Sequence, residues 1–162
     1  MSHDTLSVGQ AAPDFTLSGD RDETFTLSEA GQPVILYFYP KDMTPGCTVQ
    51  ACDFRDFDAL FTQAGYKVIG ISPDGATSHD KFRSKHGLPF TLLSDTEHEV
   101  SKAYGVWREK TSFGKTHVGM VRSTFVIDEQ GKIAAIYDKV KAKGHTEQLL
   151  KDLGVSLTQT LS

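Results

Sequence analysis

Cysteine is nearly absent from this 162-residue chain: there are two, Cys47 and Cys52. That excludes a disulfide-stapled scaffold, and a chain of this length buries a core without staples. No strongly apolar run exceeds the six residues of "VILYFY" (34–39), against the ~20 needed to cross a bilayer. The opening "MSHDTLSVGQAAPDF" has neither a basic stretch nor an apolar one, so no secretory signal is read there and a cytoplasmic location is expected. Basic blocks are missing too. With 17 Lys and Arg against 21 Asp and Glu and a net charge of -4, neither nucleic acid nor a membrane is expected as a partner. No repeat, low-complexity tract or linker interrupts the chain, which is expected to form a single domain over 1–162 with a frayed tail at 154–162.

Short apolar runs alternate with helical patterns. "VILYFY" is apolar throughout, as a central strand covered on both faces would be, and "KVIGIS" (67–72) repeats the pattern. Residues 47–65 predict a helix with Phe54, Phe57, Leu60 and Phe61 on one stripe. "TSHDKFRSKHG" (77–87) predicts a second helix, stopped by Gly87 and Pro89. "FTLLSD" (90–95) and "EHEVSKAYG" (97–105) follow as a strand and a short helix. "STFVID" and "KIAAIYD" flank a turn at "EQGK", and "HTEQLLKDLG" predicts a last helix ending before Gly154. "DFTLSG" and "TFTLSE" suit a small N-terminal hairpin. The expected architecture is α/β, a mixed central sheet with helices on both faces.

The two cysteines fall in "YPKDMTPGCTVQACDF" (39–54). Thr44 suits a helix N-cap and Pro45 the first helical position, which makes Cys47 the third. Free N–H groups and the helix dipole favour negative charge there, so a thiol in that place loses its proton more easily. The thiolate is the form that attacks an electrophile. A small buried residue in a capped helix satisfies the same pattern. Five residues of helix turn by about 140° and rise ~7.5 Å, so the two Cα atoms lie roughly 8–9 Å apart, beyond the ~7 Å limit for a disulfide. The sulfurs cannot bond while the helix is intact. Cys47 shares the stripe of Phe54 and Phe61 and faces inward; Cys52 lies off it. A pair that reacts in sequence, with the helix start unwinding in between, fits this layout.

Other chemistries match less well. The spacing is Cys-x4-Cys, not the Cys-x-x-Cys of a general thiol–disulfide oxidoreductase. No His-x3-5-His spacing lies near the thiols, and no metal site or cofactor is expected. Each of His3, His79, His86, His98, His117 and His145 is expected to be an ordinary surface or capping residue. Arg122, just before a buried strand, suits a sheet-edge ion pair or the stabilisation of a thiolate and of a departing oxygen. Trp107 and Phe113 suit either the mouth of a site or packing. A redox-switched binding or chaperone module stands as the non-enzymatic reading.

"PKDMTPGCT" resembles the peroxiredoxin motif Pro-x-x-x-Thr/Ser-x-x-Cys, here Pro40, Thr44 and Cys47. "VGQAAPDFTL", "LPFTLLSD", "YGVW" and "VRSTFVID" are similar to further stretches of that family, in order, over residues 8 to 153. The Cys-x4-Cys pair resembles the subgroup called peroxiredoxin Q or bacterioferritin-comigratory protein. The resemblance implies a thioredoxin-like fold and reduction of hydrogen peroxide and organic hydroperoxides. It implies that Cys47 is the peroxidatic cysteine and Thr44 the hydroxyl that bonds thiolate and peroxide. It further implies that Arg122 holds the site's charge, that Pro40 shields the sulfur and that Cys52 is the resolving cysteine. An intramolecular disulfide reduced by thioredoxin or a similar dithiol, in a monomer, completes the expectation.

Overall fold

The computed structural model describes residues 6–19, 23–112 and 114–155. Its centre is a five-stranded sheet. β3 (Val34–Phe38) is buried at every position, as its unbroken apolar run requires, and it lies between β4 (Lys67–Ser72), parallel, and β8 (Ser123–Ile127), antiparallel. β5 (Thr91–Ser94) extends the sheet beyond β4, and β9 (Ile133–Tyr137) extends it beyond β8. The two predicted N-terminal strands pair as β1 (Thr16–Ser18) with β2 (Thr24–Thr26).

The pleat of β3 divides the core. Ile35, Tyr37 and Tyr39 point to one face, where they meet Cys47, Ala51, Phe54 and Phe61 of α1 (Pro45–Gln63). Phe82 of α2 (Ala76–His86) and Leu149 and Leu150 of α4 (His145–Asp152) join that cluster. Val34, Leu36 and Phe38 point to the other face, against Val100 of α3 (Glu99–Ala103), Tyr104 and the N-terminal strands' Leu17 and Phe25. Helices therefore cover both faces, as expected. β4 contributes Gly70 directly beside Tyr37, where a Cβ would come within 2.9 Å of the ring; the missing side chain is what lets that ring lie flat against the strand.

Two features differ from expectation. Residues 107–120 form a hairpin, β6 (Trp107–Ser112) with β7 (Lys115–Met120), whose alternation of charged and polar residues carries no apolar signal. The chain end is anchored further than predicted: Val155 is buried and its N–H donates to the Leu150 carbonyl. The rest of the expected tail, and Phe113, lie outside the described residues. No helix among the described residues is long and apolar enough to cross a membrane.

Candidate active site

Helix α1 starts as its sequence dictates. Thr44 occupies the N-cap in extended conformation, Pro45 follows at the first helical position, and Cys47 is third. The first intrahelical bond runs from Thr48 N–H to the Thr44 carbonyl, so the N–H groups of Gly46 and Cys47 precede the ladder. The Thr44 side chain does not cap the helix as expected. Its hydroxyl donates instead to the Lys41 carbonyl at 2.9 Å, which folds residues 41–44 into a tight turn. Met43 takes a left-handed φ of 63° in that turn, an unfavourable conformation for an unbranched side chain, so the turn is held by its surroundings.

What holds it is a buried network that sequence reasoning missed. The Asp42 carboxylate accepts from the Tyr39 hydroxyl at 2.5 Å and the Ser78 hydroxyl at 2.8 Å, and lies 2.7 Å from His79 Nδ1. His79 Nε2 faces the Leu93 carbonyl at 2.9 Å, and the Asp42 N–H donates to Asp74 Oδ2 at 2.7 Å. His79 is fully buried, so the expectation of a surface or capping histidine is corrected: a polar ring in a core must satisfy both nitrogens, and it does so with Asp42 on the turn and Leu93 on β5. The network ties the turn that carries Pro40 and Thr44 to α2 and to β5.

Cys47 is 1% exposed and Cys52 half-buried, and the two are not joined. The stripe argument holds, with Cys47, Phe54 and Phe61 inward and Cys52 off to the side. Arg122 reaches across from the start of β8. Its Nη1 donates to the Gln50 side-chain oxygen at 2.7 Å, and its Nη2 lies where a Cβ on Gly46 would come within 3.1 Å. The guanidinium thus spans the first turn of α1, from Gly46 to Gln50, with Cys47 between them. Gly46, without a side chain, makes room for this cation. Gln50 is fully buried one turn after Cys47, and its Nε2, like the Tyr37 hydroxyl, has no hydrogen-bond partner among the described residues. Pro40 is half-buried beside the turn.

The hairpin missed in sequence supplies a second cation. Lys110 on β6 crosses Gly119 and donates to the Met120 carbonyl at 2.6 Å. Burial, reinforced by Arg122, holds its ammonium below the ordinary lysine range, while Cys47 acts in the opposite direction. Arg108, Lys110, Arg122 and Lys139 line a cavity of about 540 Å³ with one carboxylate, Glu109. Trp107 does not line it; the indole stacks on His98 at 3.7 Å and packs against the opposite core cluster. Burial raises the Tyr37 phenol well above its usual range, with Cys47 adding to the effect, so that ring stays neutral beside the thiol. Another cavity, about 330 Å³, lies on the far face between β1 and α3; neither cavity has a thiol in its lining, and Arg122 is what joins the first to the turn of Cys47. Among the described residues no three His, Cys, Asp or Glu are grouped to hold a metal.

The site sets a buried sulfur on the first turn of a helix, with a guanidinium lying across the same turn. On this sheet and helix arrangement, that places the molecule among the thiol peroxidases of thioredoxin-like fold. Comparison with known proteins makes the class specific: the chain belongs to the AhpC/TSA family, whose model matches residues 8–136. It is 49% identical over 150 residues to peroxiredoxin Bcp of Bacillus subtilis, covering 92% of this chain and 96% of that one. It is similar to the solved structure of PrxQ from Xylella fastidiosa, with a TM-score of 0.87 and 34% identity, over 95% of this chain and 98% of the other. The bacterioferritin comigratory protein of Xanthomonas campestris matches with a TM-score of 0.84 and 37% identity, over 91% and 98%.

Proposed function

We propose that this peroxidase works through Cys47 as the peroxidatic cysteine and Cys52 as the resolving cysteine. The Cys47 thiolate attacks the terminal oxygen of a hydroperoxide; an S–O bond forms, the O–O bond breaks, and the alkoxide or hydroxide leaves and takes up a proton. Cys47 is oxidised to a sulfenic acid. Arg122 stabilises the thiolate and the charge that builds on the leaving oxygen, Thr44 contacts sulfur and peroxide, and Pro40 limits water at the sulfur. The first turn of α1 then opens and Cys52 attacks the sulfenic sulfur, closing a disulfide with loss of water. An external dithiol, with thioredoxin as the expected one, restores both thiols by exchange.

The observation that carries this reading is the placement of Cys47 on the first turn of α1, buried, with the Arg122 guanidinium lying across that same turn. The Xanthomonas campestris relative is described as having alkyl peroxide reduction activity, which supports organic hydroperoxides alongside hydrogen peroxide. The further reading, from the sequence, is of a cytoplasmic monomer.

The test uses one equivalent of hydrogen peroxide and intact-mass measurement on Cys47→Ser and Cys52→Ser variants. Cys52→Ser is expected to gain one oxygen, trapped as sulfenic acid, while Cys47→Ser gains nothing. Oxidation of Cys52 in the Cys47→Ser protein at the wild-type rate would overturn the assignment.

A further inference from the structure

Cys52 is not simply exposed while it waits. Its Sγ lies 3.8 Å from Nδ1 of His86, the last residue of α2, within reach of a sulfur hydrogen bond. Arg55, one turn further along α1, donates from Nη1 to the backbone carbonyl of the same His86 at 2.8 Å. The two contacts seat α1 on the end of α2 immediately after Cys52. The turn before it is held differently, by the Arg122 guanidinium on Gln50 and by the burial of Cys47.

We propose that His86 is the base for the resolving step, taking the proton of Cys52 as this sulfur attacks the Cys47 sulfenic acid. The proposal rests on the reading of Cys52 as the resolving cysteine. With the ring proton on Nε2, Nδ1 accepts the thiol proton. The Cys52 thiolate then forms the S–S bond, the S–O bond of Cys47 breaks, and the leaving hydroxide takes the proton back from the imidazolium as water. No oxidant beyond the peroxide already consumed is needed. His86 is the last residue of α2, where carbonyl groups end the helix, and the Arg55 guanidinium lies between that end and the turn that carries Cys52. Cys52 and Arg55 are the titratable or charged groups of α1 that face His86, and Arg55 is also paired with Asp56 at 2.9 Å. The arrangement differs from the one at Cys47. There, the Arg122 guanidinium lies across the helix turn that carries the sulfur; here, the sulfur's neighbour is an imidazole nitrogen that can take its proton when the disulfide closes.

The test is His86→Gln in the full chain, mixed with hydrogen peroxide and acid-quenched over time. The sulfenic acid and the Cys47–Cys52 disulfide are each followed by mass. The oxidation of Cys47 is expected to keep its rate, which also reports that the variant is folded. Disulfide closure at pH 7 is expected to slow by about 10- to 100-fold, in the range of general base catalysis, and to recover as the pH is raised towards 9. Closure at the wild-type rate, or slowing by the same factor at every pH, would overturn the role of His86 and leave Cys52 as the resolving residue. A wild-type protein that oxidises at Cys47 but never forms the Cys47–Cys52 disulfide would instead remove the reading beneath the proposal.

Discussion

At the scale of single residues, the site depends on one hydrogen bond that no motif announces. Arg122 is legible as a candidate cation, but what aims it is the Gln50 side chain, itself buried and paired through its oxygen. A hydrogen bond to a charged group is worth about 1.5–3 kcal/mol, and ~1.4 kcal/mol is a factor of ten in rate. Gln50→Ala is therefore expected to lower the second-order rate of Cys47 oxidation by about tenfold or more. The same truncation empties a fully buried position and leaves the Arg122 donor without its partner, so it also lowers stability by about 1–3 kcal/mol, and the rates are compared under conditions where circular dichroism shows both proteins folded. Gly46→Ala provides the graded comparison. Its methyl would press on Arg122 Nη2, the flexible end of a long side chain, so the guanidinium gives way by a few tenths of an ångström and the loss is smaller. Stopped-flow measurement of both variants orders the two effects; equal rates for Gln50→Ala and wild type would show that Arg122 needs no such anchor.

At the scale of elements, α1 has two halves with different attachments. Downstream of Cys52 it buries Phe54, Leu60 and Phe61 and is clamped to α2 through Arg55. Upstream, Cys47 and Gln50 are the buried residues of the first two turns with Ala51, and Cys47 is small. Opening the first turn thus forfeits little apolar contact, whereas opening the rest would dismantle the cluster under β3. On formation of the disulfide, faster amide exchange is expected over residues 45–52 and unchanged exchange from Arg55 onward, read by mass spectrometry of proteolytic fragments. Exchange that is unaltered by oxidation across the whole helix would contradict the opening. The helix itself was legible in the sequence because a cap, a proline and a seven-residue stripe agree. So were the five strands of the central sheet, whose apolar runs have no other home. The β6–β7 hairpin was not, because both of its faces are polar at most positions and alternation leaves no contrast to detect. The Asp42–His79 pair was hidden for a different reason: it joins residues 37 apart, and a charged residue in a loop carries no mark of the histidine it will meet.

At the scale of the whole molecule, the packing of α4 on α1 makes stability respond to acid. His145 starts α4 and sits in the core, with Nε2 2.9 Å from the Thr124 hydroxyl and the ring edge-on to Phe54 of α1. Burial lowers its pKa to about 4; Arg122 adds to the effect and Asp152 opposes it. In the unfolded chain the same ring titrates near ~6.5. Between these values the unfolded chain binds a proton that the folded protein refuses, so stability is complete above about 6.5 and falls as the pH drops towards 4, then levels off. The lost amount is on the order of 3–3.5 kcal/mol when the whole interval from about 6.5 to about 4 is crossed, at ~1.4 kcal/mol per pH unit. Carboxylates act in the same window in both directions. Asp53 and Asp58, raised by burial, gain stability as they protonate, while Asp14, lowered by its bond from Ser28 N–H, loses it. These three are common to wild type and variant, whereas Asp152, held low mainly by the Tyr137 hydroxyl and the Gln148 amide, also interacts with the ring, so the difference between the two proteins reports His145 together with its coupling to Asp152. His145→Gln keeps an amide that can reach Thr124 and removes the titration. Urea unfolding at pH 7, 5.5 and 4.5 is expected to show wild type losing about 2 kcal/mol more than His145→Gln across that range. Parallel decline of the two would mean that α4 does not sense protons through this ring, and that the acid sensitivity of the fold resides in its carboxylates.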